Sequence, residues 1–414
     1  MVRKKIEDLG KVISGGTPST KNERYWGGDI AWITPKDLSK HDSMFIFKGE
    51  RGITEEGLKN SSAYTVPTGT VLFSSRAPIG YVAIAGKNLT TNQGFKNIVV
   101  NDENDNLFIY YLLKNNIKFI ESHANGSTFK EISAKVFKNL EFDVPNLDTQ
   151  RKISKILSTL DSKIELNNQI ISNLEELAST LFKRWFVDFE FPDENGKPYK
   201  SSGGRMVDSE LGEIPEGWKV TNLEEISIDI ITGKTPNTKQ KENYGEDIPF
   251  IKIPDMHNNT YIVQTETYLS KKGSDSQYKK LLPKDSICVS CIATPGLVSI
   301  TSVASHTNQQ INTILPKVED LYFLYLDLKR KKNLIRELGS GGSTTLNLNK
   351  TQFGKINIVN CGKREKMNFN KICEPLFSKI LLLQKSNIYL AKLRDLLLPK
   401  LLSGEIELSE DKEV

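Results

Sequence analysis

The chain is poor in the residues that usually announce chemistry. It has four cysteines and four histidines in 414 residues. The cysteines, at 288, 291, 361 and 373, all fall in the second half. Cys288 and Cys291 have the spacing of half a zinc site, but no second pair completes it. Buried thiols in a reducing compartment are the expected reading. His41, His123, His257 and His306 are scattered among polar residues with no triad or metal spacing, and solvated loop positions are expected for them. No apolar run approaches the roughly 20 residues of a membrane span. The first residues, Met1 to Asp8, hold no apolar signal core, so a cytoplasmic protein is expected. No Pro-Pro pair exists, which removes the Asn-Pro-Pro-aromatic motif of adenine methyltransferases. Ile231-Thr232-Gly233-Lys234-Thr235 resembles the end of a phosphate loop, but the glycine needed at 228 is Ile228. Pro254-Asp255 could begin a nuclease motif, but no Asp/Glu-x-Lys follows it within about fifty residues. The net charge of +5 permits nucleic-acid binding without demanding it, and Glu405 to Val414 form an acidic tail.

What is present is a repeat. Ser14-Gly15-Gly16-Thr17-Pro18-Ser19-Thr20-Lys21 returns as Thr232-Gly233-Lys234-Thr235-Pro236-Asn237-Thr238-Lys239, an offset of 218 residues. From Pro67 onward the offset is 216. A duplication of this length makes two similar heads.

Each copy begins with short strands and turns and ends in a long helix. Thr70–Ser74 and Tyr81–Ala85 flank a Pro-Gly turn, and Ser286–Ser290 and Leu297–Thr301 repeat the pattern. Amphipathic helices are expected at Leu107–Ile120 and Tyr322–Leu338. The expected partition is 1–148, first α/β head; 149–191, long helix; 192–217, linker; 218–361, second head; 362–414, second helix and tail.

A heptad seam runs along the first long helix through Ile153, Leu157, Ile164, Asn167, Ile171 and Trp185. A second runs through Phe369, Cys373, Ile380, Leu383, Asn387, Leu390 and Leu401. Two such stripes hide from water by packing on each other. In a parallel pairing each seam asparagine faces an apolar chain, at a cost of about 1–3 kcal/mol apiece. In an antiparallel pairing Asn167 meets Asn387, and Trp185 meets Phe369. The antiparallel register is therefore expected; the alternative leaves both amides at a solvated edge. Pro375 should kink the second helix or mark its start. Phe182, Phe186, Leu382 and Leu398 read as apolar outer faces that seek a partner.

Two α/β heads with long helices and an internal repeat resemble the specificity subunit of type I restriction-modification systems. The motifs that carry the resemblance are Gly15-Gly16-Thr17-Pro18, Ser75-Arg76-Ala77-Pro78-Ile79-Gly80, Asn92-Gln93-Gly94-Phe95, Gln150-Arg151-Lys152-Ile153, Leu211 to Trp218, and Leu396 to Gly404. The second copy departs from them at Ile292, which replaces Arg76, and at Lys366-Met367-Asn368-Phe369. The resemblance implies two target-recognition domains, joined by antiparallel coiled-coil helices with a pseudo-two-fold axis. It implies a non-catalytic chain that reads a bipartite double-stranded DNA target. Two methyltransferase subunits would bring S-adenosylmethionine, and restriction-translocation subunits would bring ATP and Mg. No cofactor on this chain and no membrane are expected. A scaffold that ignores DNA, and a nuclease or methyltransferase with an unrecognised active site, are the rival readings.

Within that frame Asn92, Gln93, Asn308 and Gln309 are candidates for adenine, since Asn and Gln bond bidentately to its N6 and N7. Turn capping explains such residues equally well, and Gly-Thr-Pro reads first as a backbone device. Arg76 suits a phosphate, a guanine or a structural ion pair. Lys36, Lys96, Lys130, Lys252 and Lys350 are candidate phosphate contacts. Helices of roughly 50 Å at 1.5 Å per residue suit half-sites about one DNA turn, roughly 34 Å, apart. Lengthening both helices by two heptads should therefore lengthen the spacer between half-sites and leave each half-site unchanged. A methylation assay on a series of spacer lengths checks this, and an unchanged optimum refutes it.

Overall fold

The computed structural model describes residues 1–41, 43–126, 130–340 and 347–408. The end of the acidic tail, 409–414, lies outside them. By packing, the chain divides into Met1–Leu166 with Ile388–Val414, and Asn167–Asn387. Each unit holds one head, half of the first long helix (Leu147–Phe186) and half of the second (Lys363–Ser403).

The first unit contains β1 (Val2–Lys5), β2 (Gly10–Ser14), β3 (Trp26–Ile33), β4 (Phe45–Ile46), β5 (Arg51–Ile53), β6 (Val71–Ser75), β7 (Ile79–Ala85), β8 (Thr90–Thr91), β9 (Phe95–Val100) and β10 (Glu141–Val144). Five strands form a sheet in the order β2-β9-β6-β7-β4, three form β5-β3-β8, and β1 pairs with β10. The second unit opens with the small hairpin β11 (Met206–Val207) and β12 (Ile214–Pro215). It continues with β13 (Lys219–Asn222), β14 (Asp229–Thr232), β15 (Tyr244–Ile251), β16 (Tyr261–Ile262), β17 (Thr267–Leu269), β18 (Ile287–Ser290), β19 (Val298–Thr301), β20 (His306–Thr307), β21 (Ile311–Leu315) and β22 (Asn357–Asn360). Its sheets run β14-β21-β18-β19-β16 and β17-β15-β20, with β13 on β22. The order is the same strand for strand, so the sequence repeat is a repeat of topology.

The five-stranded sheets are buried on both faces, which explains their nearly continuous apolar strands. In β6, Val71 and Phe73 face a core with Phe108, Tyr111 and Leu157, while Leu72 faces Ile33, Ile46 and Phe95. In β18, Ile287 and Val289 take the first role and Cys288 the second. Cys291 belongs to the opposite core from Cys288, so the two thiols do not converge. All four cysteines are buried and free. Burial pushes the Cys288 and Cys373 thiols up to about 12 and Cys291 to about 11.

Both expected amphipathic helices are broken in two. The first splits into Asn106–Asn115 and Ile117–Ser122 around Asn116, and the second into Leu321–Arg330 and Lys332–Gly339 around Lys331. The breaking residues have ψ of 18° and 13°, which turn the chain so that each short helix buries its own face. The segment 192–217 is rich in breakers yet packed: Phe191 stacks on Trp218 at 4.9 Å and on Tyr199 at 4.7 Å.

The long helices pair antiparallel in each unit. In the second, Asn167 Nδ2 donates to Asn387 Oδ1 at 2.7 Å, and Trp185 lies 5.6 Å from Phe369. In the first, Arg394 Nη1 donates to Asp161 Oδ1 at 2.5 Å, and Tyr111 Oη donates to Asp161 Oδ2 at 2.6 Å. Pro375 does not start the second helix, which runs through it. Pro375 and Lys371 are both exposed, so the carbonyl that the proline leaves unbonded faces water. Phe182, Phe186 and Leu398 are buried rather than outward: the two phenylalanines pack on Phe323 and Phe369. Only Leu382 of the four is exposed.

Where each head meets its helix, the two copies solve one packing problem differently. Gln150, fully buried, donates to Pro145 O at 2.9 Å and Asn104 Oδ1 at 3.0 Å, and accepts from Asp105 N at 2.8 Å. In the second copy Lys366 stands for Gln150 and Asp320 for Asn104. They form an ion pair at 2.6 Å, with side chains only 7% and 2% exposed. A neutral amide pair has become a buried charge pair. Breaking such a pair from one side strands a charge, at about 3–5 kcal/mol. Lys366→Gln alone should therefore destabilise the second unit by about that amount. Lys366→Gln with Asp320→Asn, which copies the first unit, should recover most of it. Urea denaturation of the three proteins checks this.

His306 is not in a solvated loop. It is fully buried on β20, with Nε2 2.8 Å from Ser274 Oγ. Desolvation holds its pKa below the usual 6.5. A folded state that binds the proton less well than the unfolded one loses stability as pH falls. The second unit should therefore weaken progressively below about pH 6.5, and His306→Thr, which copies Thr90, should remove that slope. Thermal melts from pH 7.5 to 5 measure the difference.

Candidate nucleic-acid interface

The repeated motifs meet in space. Gly15 and Gly233 lie where a Cβ would collide with the backbone of Asn92 and Asn308, respectively. Only glycine allows that approach. Gly16 N donates to Thr91 O at 2.8 Å, and Lys234 N to Thr307 O at 3.0 Å. Above these bonds the Thr17 hydroxyl donates to Gln93 Oε1, and the Thr235 hydroxyl to Gln309 Oε1. Asn92 Oδ1 caps Gly94 N at 2.9 Å, and Asn308 Oδ1 caps Gln310 N at 3.1 Å. The Gly-Thr-Pro turn and the Asn-Gln turn are thus clamped together in the same way in both heads.

The proline turn joins the clamp. Ser75 N donates to Gly94 O at 2.7 Å, and Cys291 N to Gln310 O at 2.9 Å. Ser74 Oγ donates to Pro78 O at 2.8 Å, and Ser290 Oγ to Thr294 O at 2.6 Å. At its apex Ala77 and Ala293 have φ of 58° and 62°. A left-handed alanine costs about 1–2 kcal/mol, and both heads hold it. A fourth loop is fixed by a carboxylate: Asp37 accepts from Thr34 N at 2.7 Å and Glu50 N at 2.7 Å. Asp255 does the same for Lys252 N at 2.8 Å and Glu266 N at 3.0 Å.

These loops gather four of the expected residues in the first head. Lys36, Arg76, Asn92 and Lys130 line one cavity of about 810 Å³, together with Glu121 and Glu131. The cations are paired: Lys36 with Glu50 at 2.9 Å, Arg76 with Glu131 at 3.3 Å, Lys130 with Glu121 at 3.5 Å. The bond to Glu50 favours the charged form of Lys36 and lifts its pKa. Exposed pairs of this kind are weak, because water screens them, so a phosphate can displace the carboxylate. Lys96 differs. It is only 5% exposed, sits 4.0 Å from Glu131, and burial holds its pKa down. Its ammonium supports Glu131 from inside rather than facing solvent. Gln93 is exposed at the tip of its turn, with Nε2 outside the bond to Thr17.

The second head displays other chemistry on the same loops. Lys252, at the position of Thr34, donates to Thr267 Oγ1 at 2.6 Å. Asn308 N donates to Ile251 O at 3.1 Å, which brings the Asn-Gln turn beside Lys252. Asn308 is buried and Gln309 exposed. Lys350 stands apart: it pairs with Asp229 at 3.7 Å, at the start of β14, whereas the Gly-Thr-Pro turn leaves the other end of that strand. Thr232-Gly233-Lys234 leads into a turn rather than a helix, so it cradles no phosphate as a P-loop does.

Two residues escaped the sequence reading. Arg51 lies with Cζ 3.6 Å from the centre of the Trp26 ring, and Trp26 meets Trp32 edge-on at 4.9 Å. Their contact depends on a register shift in β3 between Trp26 and Ile30, which no alternation in the sequence reveals.

Comparison with known proteins agrees with this architecture. The model of the type I restriction modification DNA specificity domain matches residues 1–176 and 215–360. The specificity subunit of the type I restriction enzyme MjaIX of Methanocaldococcus jannaschii is 36% identical, over 98% of this chain and 94% of that one. The HindI specificity subunit of Haemophilus influenzae is 40% identical, over 72% of this chain and 77% of that one. A crystal structure of a type I restriction-modification S subunit from M. genitalium shares the fold, with a TM-score of 0.60 at 18% identity over 97% of this chain and 95% of that one. With both copies of its repeat matched, and with the MjaIX specificity subunit 36% identical over 98% of this chain, the chain belongs to the family of type I restriction-modification specificity subunits.

Proposed function

We propose that this chain is the DNA-recognition subunit of a type I restriction-modification complex and reads a two-part double-stranded target, one part per head. It is non-catalytic. The observation that carries the reading is the pair of equivalent loop clamps, built from the same main-chain bonds yet displaying different side chains. Identical scaffolds with divergent polar surfaces suit two half-sites of different sequence.

The target-recognition domains are residues 1–148 and 218–361, the spacer helices 149–191 and 362–414, and the linker 192–217. Gln93 and Gln309 present their free amide nitrogens to base edges. Lys36, Arg76, Lys130 and Lys252 contact phosphates, and Asn92 and Asn308 hold the turns that aim the glutamines. Lys96 supports Glu131, and Lys350 makes a peripheral contact. The Asn167–Asn387 bond fixes the helix register. Two DNA methyltransferase subunits dock on this chain and bring S-adenosylmethionine; restriction-translocation subunits bring ATP and Mg. The complex works in the cytoplasm, and this chain holds no cofactor.

The test is copurification with a methyltransferase, mapping of the methylated adenines, and titration of the mapped duplex at several salt concentrations. Affinity should fall steeply with salt. Lys36→Ala and Lys130→Ala should each weaken binding across all sequences and reduce the salt slope by about one. The absence of salt-dependent DNA affinity even with the methyltransferase present would point to a scaffold, and turnover by the isolated chain to an enzyme.

A further inference from the structure

We infer that Arg51, held on the face of Trp26, is a direct DNA contact of the first head, its fork taking two adjacent acceptors, and that the second head has no counterpart to it. The inference rests on the DNA-recognition reading above. Arg51 is exposed on the edge strand β5, opposite Trp32. Its guanidinium carbon lies 3.6 Å from the Trp26 ring centre, a stacking separation. Its guanidinium forms no hydrogen bond or ion pair with a described residue. The cations that line this head's cavity, Lys36, Arg76 and Lys130, each have a carboxylate partner.

The stack has an address. Trp26 Nε1 donates to Ser19 O at 3.1 Å, and Trp32 Nε1 donates to Gly16 O at 2.9 Å. Both indoles are therefore pinned to the Gly-Thr-Pro turn, the turn whose Thr17 holds Gln93. Arg51, through Trp26, and Gln93, through Thr17, are thus tied to the same turn. A guanidinium stacked on a ring loses one face to the indole and keeps its N–H donors, which lie in its own plane. It is ordered before any ligand arrives, so less freedom is lost on binding. Such a fork fits two adjacent acceptors, either O6 and N7 of guanine or two phosphate oxygens.

In the second head Tyr244, Phe250 and Thr267 replace Trp26, Trp32 and Arg51. Thr267 there accepts the Lys252 ammonium instead of carrying a cation. The consequence of losing Arg51 should therefore be confined to one half-site.

The experiment uses the chain assembled with its methyltransferase. Affinity is measured for the mapped target and for duplexes altered one base pair at a time in either half, at several salt concentrations. Arg51→Ala should weaken binding roughly 10- to 100-fold, and Arg51→Lys, which keeps the charge but loses the fork, should restore only part of it. If the partner is guanine, discrimination is lost at one G·C pair in the half read by the first head. If it is phosphate, discrimination is unchanged, affinity falls for every sequence and the salt slope drops by about one. Wild-type affinity, specificity and slope in both variants overturn the inference and leave the DNA-recognition reading intact. A wild-type complex with no salt-dependent affinity overturns that reading and the inference together.

Discussion

The exclusion of a Cβ at Gly15 and Gly233 is the constraint on which both recognition surfaces depend. It lets the Gly-Thr-Pro turn lie on the backbone of the Asn-Gln turn, where Gly16 N and Lys234 N find their carbonyls. The Thr17–Gln93 and Thr235–Gln309 bonds then close over that contact. The proline turn hangs from the same place through Ser75 and Cys291. A chain of main-chain bonds thus fixes three loops against one another. The side chains between them are left to do other things.

The helices obey a different rule. Their long apolar seams would accept several registers, since leucine packs on leucine at any heptad. Polar residues within the seam remove that freedom. Asn167 donates to Asn387, which donates in turn to Asn168, and Asp161 is met by Arg394 and Tyr111. A slip by one heptad would leave these groups buried without partners. The seam therefore supplies stability, and its few polar members supply uniqueness.

Much of this was legible in the sequence because a repeat acts as its own control. The strand-turn-strand pairs, the two long helices and the antiparallel asparagine match all follow from comparing one copy with the other. The failures have physical causes. Pro375 falls on a solvated side of its helix, where an unbonded carbonyl is tolerated. His306 lies on a two-residue strand, too short for any pattern to show. Phe182 and Phe186 looked outward because a heptad assigns faces to one partner, whereas these helices also carry the head. At the interface, the turns were readable but their ion pairs were not. Glu131 reaches Arg76 across 55 residues, and no local signal marks it. The Arg51–Trp26 stack was invisible for the same reason: a bulge in β3 brings it together.

The exchange of Gln150 and Asn104 for Lys366 and Asp320 has a wider implication. It shows two solutions to one joint surviving side by side in one molecule, where neither half can be swapped alone. Joints of that kind act as keys. A head transplanted from one copy to the other would carry Asn104 to meet Lys366, or Asp320 to meet Gln150, and the fit would fail at the hinge while the reading loops stayed sound. New combinations of half-sites would therefore arise most easily when the exchanged segment includes both the head and the first turn of the helix behind it.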